Sequence, residues 1–312
     1  MNDTSGFRAN KLQRPSMPNF YVPLPRDVIA LDGIDAQSFL QGLVSQDMEQ
    51  VTKTRSVYTA LLTPQGKFLH DFFVMRSGDR MWLDCEAKRG PDLIERLSAF
   101  RLRSDVQFEI LHKHAVCAVI GPTANSTLGL TTTAGDTRPA TEMLAYTDPR
   151  NPAIGCRVVG PNSTIKALMA EYEISAGGFE TYDTLRISLE IPDGSRDMEI
   201  EKSTLLESNF ADLNGIDWEK GCYMGQELTA RTKYRGLVKR RLCAFQATDD
   251  RQTVGEPVYK ADHKVGEIRS RSRDHLLVSI KIDALESGME SLIAAGQPLI
   301  HLQNTSGLQA TP

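Results

Sequence analysis

The stretch from Val57 to Arg76 constrains the fold more tightly than any other part of the chain. Val57 to Leu62 is a β-prone run, Thr63-Pro64-Gln65-Gly66 has turn chemistry, and Lys67 to Arg76 forms a second run. Proline pre-sets one turn position and glycine tolerates another, so the two runs are predicted to pair as a hairpin. Ser77-Gly78-Asp79 makes a further turn, and Met81-Trp82-Leu83 continues the sheet. Helical periods flank it. Asp35 is placed to cap a helix whose Phe39, Leu40, Leu43 and Val44 share one face. Pro91 opens a second helix through Leu93, Ile94, Leu97 and Phe100, and Val106 to Leu111 returns as a strand. Strands and helices interleaved in this way predict an α+β fold.

A second unit follows. Val116 to Ile120 reads as a buried strand stopped by Gly121-Pro122, and residues 123–152 read as mostly loop. Cys156 to Val159 is predicted as a strand, Thr164 to Tyr172 and Thr181 to Glu190 as helices, and Lys220 to Tyr234 as the next helix. From Leu237 the texture changes. Short β-prone pieces at 242–245, 257–259, 265–269 and 276–282 alternate with turn residues, the spacing of a small all-β barrel. The expected organisation is therefore α+β units at 24–112 and 113–236 and a barrel at 237–312, preceded by a frayed tail over residues 1–20.

With 312 residues, 40% of them apolar, the chain can bury sizeable cores. A net charge of −4 argues against general coating of nucleic acid. The five cysteines, at 85, 117, 156, 222 and 243, are widely spaced and form no CxxC pair. Reduced thiols in a cytosol-like compartment fit better than a disulfide framework. No apolar run approaches a membrane span, and the first thirty residues lack the apolar region of a secretory signal, so a cytoplasmic protein is expected. The six histidines carry no zinc spacing; His112 and His114 alternate along one strand and are weak evidence for a metal, so none is expected.

The chemically dense segment is Lys220-Gly221-Cys222-Tyr223-Met224-Gly225-Gln226-Glu227, followed by Arg231. A cysteine at a helix start, beside a lysine, meets free N–H groups and a dipole that favour the thiolate. The alternative is a small hydrophobe buried at that helix start. Glu227 and Arg231, four apart, share a helix face and are placed to pair. Lys239, Arg240 and Arg241 read as a solvated cationic stretch.

These segments carry a resemblance. Leu206-Glu207-Ser208-Asn209-Phe210, Asn214-Gly215-Ile216-Asp217-Trp218 and the cysteine segment together are similar to the YgfZ family of folate-binding factors in iron–sulfur protein maturation. The hairpin from Tyr58 to Asp71 and the loop Ile191 to Asp197 match the same family, and the likeness runs from about residue 24 to the end. The wider superfamily includes the aminomethyltransferase (T-protein) of the glycine cleavage system. The resemblance implies two α+β domains and a barrel around a central cavity that takes tetrahydrofolate. It implies Cys222 and Asp71 as the chemically active residues, and Tyr58, Asp71, Arg186, Lys220, Gln226, Glu227 and Arg231 at the folate. Iron–sulfur carriers or client proteins are the implied partners, with no nucleic acid or membrane. The compartment would be bacterial cytoplasm, or the mitochondrial matrix in a eukaryote.

Two departures separate the chain from the T-protein pattern. Ser188 follows Leu185-Arg186-Ile187 where the T-protein has a pterin-binding glutamate, and Cys222 stands where it has an aspartate. A serine cannot accept a pair of pterin N–H groups as a carboxylate does. The expectation is an accessory factor for assembly or repair of [4Fe–4S] clusters with a functional Cys222. A folate-dependent aminomethyltransferase and an interaction module without ligand chemistry are the alternatives. Clusters normally take four thiolates, so Cys222 alone implies a redox or transfer role, or a shared ligand set.

Overall fold

The computed structural model describes residues 18–140, 142–288 and 291–302. Most of the expected tail, and the last ten residues of the expected barrel unit, lie outside them. Three sheets organise the chain. Strand β1 (Phe20–Leu24) is followed by β2 (Arg26–Asp32), helix α1 (Ala36–Gln41), β3 (Val57–Leu62), β4 (Phe68–Ser77), β5 (Arg80–Glu86), α2 (Gly90–Ser98) and β6 (Gln107–Ile110). The first sheet has the order β3-β4-β5-β2-β6, antiparallel throughout. The predicted hairpin is its edge pair, with Ala60 opposite Asp71.

Next come β7 (His114–Ile120), α3 (Ala124–Thr127), β8 (Thr137–Pro139), β9 (Leu144–Thr147), β10 (Cys156–Pro161), α4 (Asn162–Glu171), β11 (Ser175–Ala176) and α5 (Phe179–Ser188). The second sheet runs β11-β1-β7-β10-β9-β8. Its first strand, β1, comes from ahead of the first unit, so the chain crosses between sheets at Pro25. The stretch 123–152, expected to be loop, contributes two strands. Polar threonines and prolines masked them locally, and pairing with β10 extends the backbone there.

After α6 (Gln226–Tyr234) the chain forms β12 (Arg240–Gln246), β13 (Pro257–Lys260), β14 (His263–Ser272), β15 (His275–Lys281), α7 (Ile282–Glu286), β16 (Leu292–Ala294), β17 (Gln297–Pro298) and β18 (Ile300–His301). These strands make one antiparallel, barrel-like sheet in the order β17-β16-β13-β14-β15-β12-β18, around a core that includes Phe245, Val258, Ile268 and Val278. The fold is α+β with a C-terminal barrel.

Strand alternation on β4 sorts the first sheet's faces. Phe72 and Val74 pack under α1 and α2 with Leu40, Leu93 and Leu97. Phe73 and Met75 face the other way, into a core shared with Tyr146 and Val159 of the second sheet and with Leu205, Phe210 and Tyr223 of the long connection before α6. Asp71 lies on this second face. Asp35 does not cap α1 with its side chain; its carboxylate instead accepts the Asp105 N–H at 2.8 Å and ties the loop before β6.

Candidate functional site

Charge is concentrated where the first two sheets meet. Arg157 donates to Asp84 at 2.6 Å and to Asp148 at 3.2 Å, Arg150 pairs with Asp148 at 2.8 Å, and Arg26 pairs with Asp84 at 2.6 Å. All five side chains are buried. Three guanidiniums surround one aromatic ring: Arg157, Arg150 and Arg26 lie 4.0, 4.8 and 5.6 Å from the Phe73 centroid. The negative ring face offsets part of the cost of gathering cations away from water.

Asp71 stands at the margin of this cluster, buried on β4. Its Oδ2 accepts the Tyr58 hydroxyl at 2.9 Å, while Oδ1 is buried with no hydrogen-bond partner. Burial raises its pKa, opposed by the nearby Arg26 charge and the Tyr58 hydrogen bond. The segment against it is the turn at residues 193–195. Gly194 has φ +51, and a Cβ there would lie 2.6 Å from Glu86 Oε2 and 3.3 Å from Asp71 Oδ1. Only glycine tolerates this close approach of the turn to Glu86 and Asp71 at a positive φ. Ser195 fixes the turn by donating its N–H and hydroxyl to Glu86 at 2.9 and 2.6 Å.

Tyr58 also forms part of a cavity of about 420 Å³ bordered by Gln46, Arg55, Thr133, Asn214 and Trp218. Trp218 carries the ammonium of Lys233 from α6 at 3.6 Å from its ring centroid. Asn214 and Trp218 belong to a segment that carries the family resemblance, which implies no role for them. Nothing local in their pattern signals a cavity wall, because the opposing residues come from three distant segments.

The cysteine segment is elsewhere on the hairpin. Gly225 (φ +79) lies against the turn, where an added Cβ would be 2.5 Å from the Thr63 carbonyl oxygen. Asp71 pairs with Ala60, three residues down the strand from Thr63, roughly 10 Å along it. The start of α6 therefore sits at the hairpin tip, while Lys233 near its other end reaches Trp218 of the Tyr58 cavity. The helix also begins later than expected, at Gln226, with Gly225 in the left-handed conformation ahead of it. Cys222 is four residues before that helix, in irregular backbone, which corrects the expectation that it sits at the helix start.

Lys220 does not serve Cys222 either. Its Nζ donates to the carbonyls of Gln41, Val44 and Gln46 at 2.9, 2.7 and 2.8 Å, closing the C-terminal end of α1 from 174 to 179 residues away. Burial pulls its pKa down to about 8 against the charges of Asp47 and Asp217. Met224 N–H donates to the Gly42 carbonyl beside it. Between these anchors Cys222 is exposed, which removes the buried-hydrophobe reading. The other four cysteines are buried, and burial pushes Cys85, Cys117 and Cys243 up to about 12 and Cys156 higher still.

Arg186, expected at the folate, is an internal tie. Its guanidinium is fully buried, with Nε on Asp183 at 2.6 Å, Nη1 on Asp197 at 2.6 Å and the Ile191 carbonyl at 3.1 Å, and Nη2 on Ser270 at 2.8 Å. It joins α5, the 191–197 loop and β14. Ser188 ends α5 with its hydroxyl on the Leu185 carbonyl at 2.7 Å. Gln226, Glu227 and Arg231 lie on α6, after Cys222, and no Glu227–Arg231 ion pair forms among the described residues.

Comparison with known proteins agrees with this architecture. Residues 27–159 match the family model of the GCVT N-terminal domain. The fold is similar to the glycine cleavage system aminomethyltransferase T from Bartonella henselae, with a TM-score of 0.73 at 16% identity over 91% of this chain and 85% of that one. In sequence, the chain is 30% identical over 263 residues to the mitochondrial iron–sulfur cluster assembly factor IBA57 homolog of Coccidioides immitis, covering 77% of this chain and 61% of the relative. It is 34% identical over 232 residues to the corresponding protein of Mycosarcoma maydis, covering 70% and 54%. The chain thus carries a GCVT N-terminal domain over residues 27–159 and is similar in sequence to iron–sulfur cluster assembly factors. It spans about half to three-fifths of the length of these curated relatives. Among the described residues, no helix is long and apolar enough to cross a membrane.

Proposed function

We propose that this protein is a tetrahydrofolate-binding accessory factor in the assembly or repair of [4Fe–4S] clusters, with Cys222 as its functional thiol. The observation that carries the reading is the contrast among the cysteines: one is held out on a pinned turn, and four are buried in cores. The named role of the curated relatives, iron–sulfur cluster assembly, supports the same class of work. An exposed thiol on an anchored turn can be delivered to a carrier or client protein without unfolding any element.

The residues present fit a folate. A buried carboxylate oxygen without a partner, on Asp71, suits a pterin N–H donor. Asp71 and Tyr58 would hold the ring, and the Tyr58 cavity bordered by Trp218 supplies aromatic and amide contacts. Bound folate supplies a one-carbon carrier or a redox-active pterin. Aminomethyl transfer is disfavoured because Ser188 is turned onto its own helix and offers no carboxylate anchor. The relatives are named as mitochondrial; a reducing compartment suits five unpaired thiols.

The test is complementation. In cells lacking the protein, [4Fe–4S] enzyme activities should fall, return with the wild-type chain, and stay low with Cys222→Ala. Calorimetry should detect tetrahydrofolate binding that weakens about ten- to a hundredfold in Asp71→Ala, the cost of a charged hydrogen-bond partner. Full rescue by Cys222→Ala, or robust methylene-tetrahydrofolate production from a lipoylated carrier protein, would overturn the assignment.

A further inference from the structure

A second group of chemically active side chains lies in the barrel unit, away from both the hairpin and Cys222. Glu190, Cys243 and His301 come from the turn just after α5, from β12 and from β18, and their carboxylate, Sγ and ring-nitrogen atoms all lie within 4.8 Å of one another. We propose that these three residues bind one divalent transition-metal ion of zinc type.

Three observations carry the assignment. The Nδ1 atom of His301 is buried and has no hydrogen-bond partner, while its ring is fixed edge-on against Phe245 at 5.2 Å. A ring nitrogen left without a partner inside a protein fits a metal ligand. Glu190 holds φ +58, a conformation that a residue other than glycine adopts at a cost, and this bend brings its carboxylate under β12, where Oε1 accepts the Ala244 N–H at 3.2 Å. Cys243 is 3% exposed and is a free thiol. Thiolate, imidazole and carboxylate together form the donor set of borderline divalent ions, and three protein ligands leave a fourth position for water or an outside thiol.

The charges balance. The ion brings two positive charges and meets the Glu190 carboxylate and the Cys243 thiolate, so the occupied site is neutral. Binding breaks the Cys243 S–H bond and forms a sulfur–metal bond. The proton leaves to water, His301 gives its Nδ1 lone pair, and no electron is transferred. Bonds of about 2.0–2.3 Å to the ion require the donors to close in by roughly 1 Å, within reach of side-chain rotation. Arg241 opposes the ion, with Nη2 3.4 Å from Glu190, but it also lies 3.8 Å from Asp212 and keeps that partner when Glu190 turns to the metal. Spacings of 53 and 58 residues carry no metal signature in the sequence, and only the closure of β18 on β12 brings the donors together.

Cobalt(II) titration of the reduced full-length protein carrying Cys222→Ala tests the site. One equivalent should bind with a thiolate-to-cobalt absorption band, and zinc(II) should displace it. Cys243→Ser should abolish the band. His301→Gln, a change on a short edge strand that leaves the core intact, should weaken binding by at least the ten- to hundredfold that losing an outer-shell partner costs. Absence of the band in the Cys222→Ala protein, its persistence in Cys243→Ser, or unchanged affinity in His301→Gln would each overturn the proposal.

Discussion

Asp71 and Cys222 are served by the same hairpin, yet they are built in opposite ways. Asp71 is placed by the ladder of β4 and faces a core shared by two sheets, where a hydroxyl, a guanidinium and a closely packed glycine turn define its surroundings. Cys222 is placed by no regular element. It hangs between Lys220, anchored to three carbonyls of the α1 end, and Gly225, pressed onto the hairpin turn. The interior centre depends on burial and charge balance; the outer centre depends on two tertiary anchors. Damage to the first should therefore appear as lost stability, and damage at the thiol itself as lost function with the fold intact.

The largest effect is expected from Arg157→Met, which leaves Asp84 and Asp148 buried without one of their partners. Unfolding in urea should show a loss of about 3–5 kcal/mol. A loss below about 1 kcal/mol would mean that Arg26 and Arg150 alone balance the cluster, and that the interior is less charge-dependent than its geometry implies.

The opposite face of β4 offers a pH-dependent version of the same test. His70 is buried with Nε2 2.7 Å from Asp92, which favours the imidazolium, but burial and the charge of Arg89 outweigh it and push the pKa down to about 4. The unfolded chain takes up the proton near 6.5 and the folded chain does not. Stability is therefore full above about pH 6.5 and is lost as pH falls towards 4, by about 3 kcal/mol over the whole window. His70→Gln should remove that part of the acid slope. An unchanged slope between pH 6.5 and 4 would show that His70 titrates normally in the fold.

Smaller effects divide the cysteine segment itself. Lys220→Met should cost about 1.5–3 kcal/mol through its lost charged hydrogen bonds, whereas Cys222→Ala should change stability by less than about 0.5 kcal/mol because the side chain is exposed. Competitive alkylation read by mass spectrometry should find Cys222 modified first among the five thiols. If Cys85, Cys117, Cys156 or Cys243 labels before it, the division between outer thiol and buried thiols fails.

Local signals in the sequence were enough for the hairpin, for most strands of the barrel, and for the helices at 90–98, 162–171 and 179–188, because period and turn chemistry are properties of neighbours. The cysteine segment was legible as a unit through its resemblance to a family, but its mechanics were not. Lys220 read as a companion for Cys222 because they are two residues apart, and it proved to be an anchor for α1. Arg186 read as a ligand-binding cation and proved to be a tie between three elements. The partners that decide these roles are far away in sequence: Gln46 for Lys220, Ser270 for Arg186.

The sequence by itself determined which segments are strands or helices and that one segment concentrates reactive side chains. Tertiary structure alone decided that Asp71 is buried with an unpartnered oxygen, that Cys222 is exposed outside any helix, and that Glu190, Cys243 and His301 meet. The reason is physical. Secondary structure follows from interactions over a few residues, whereas burial, ion pairing and donor geometry are set by surfaces that only chain crossing brings together.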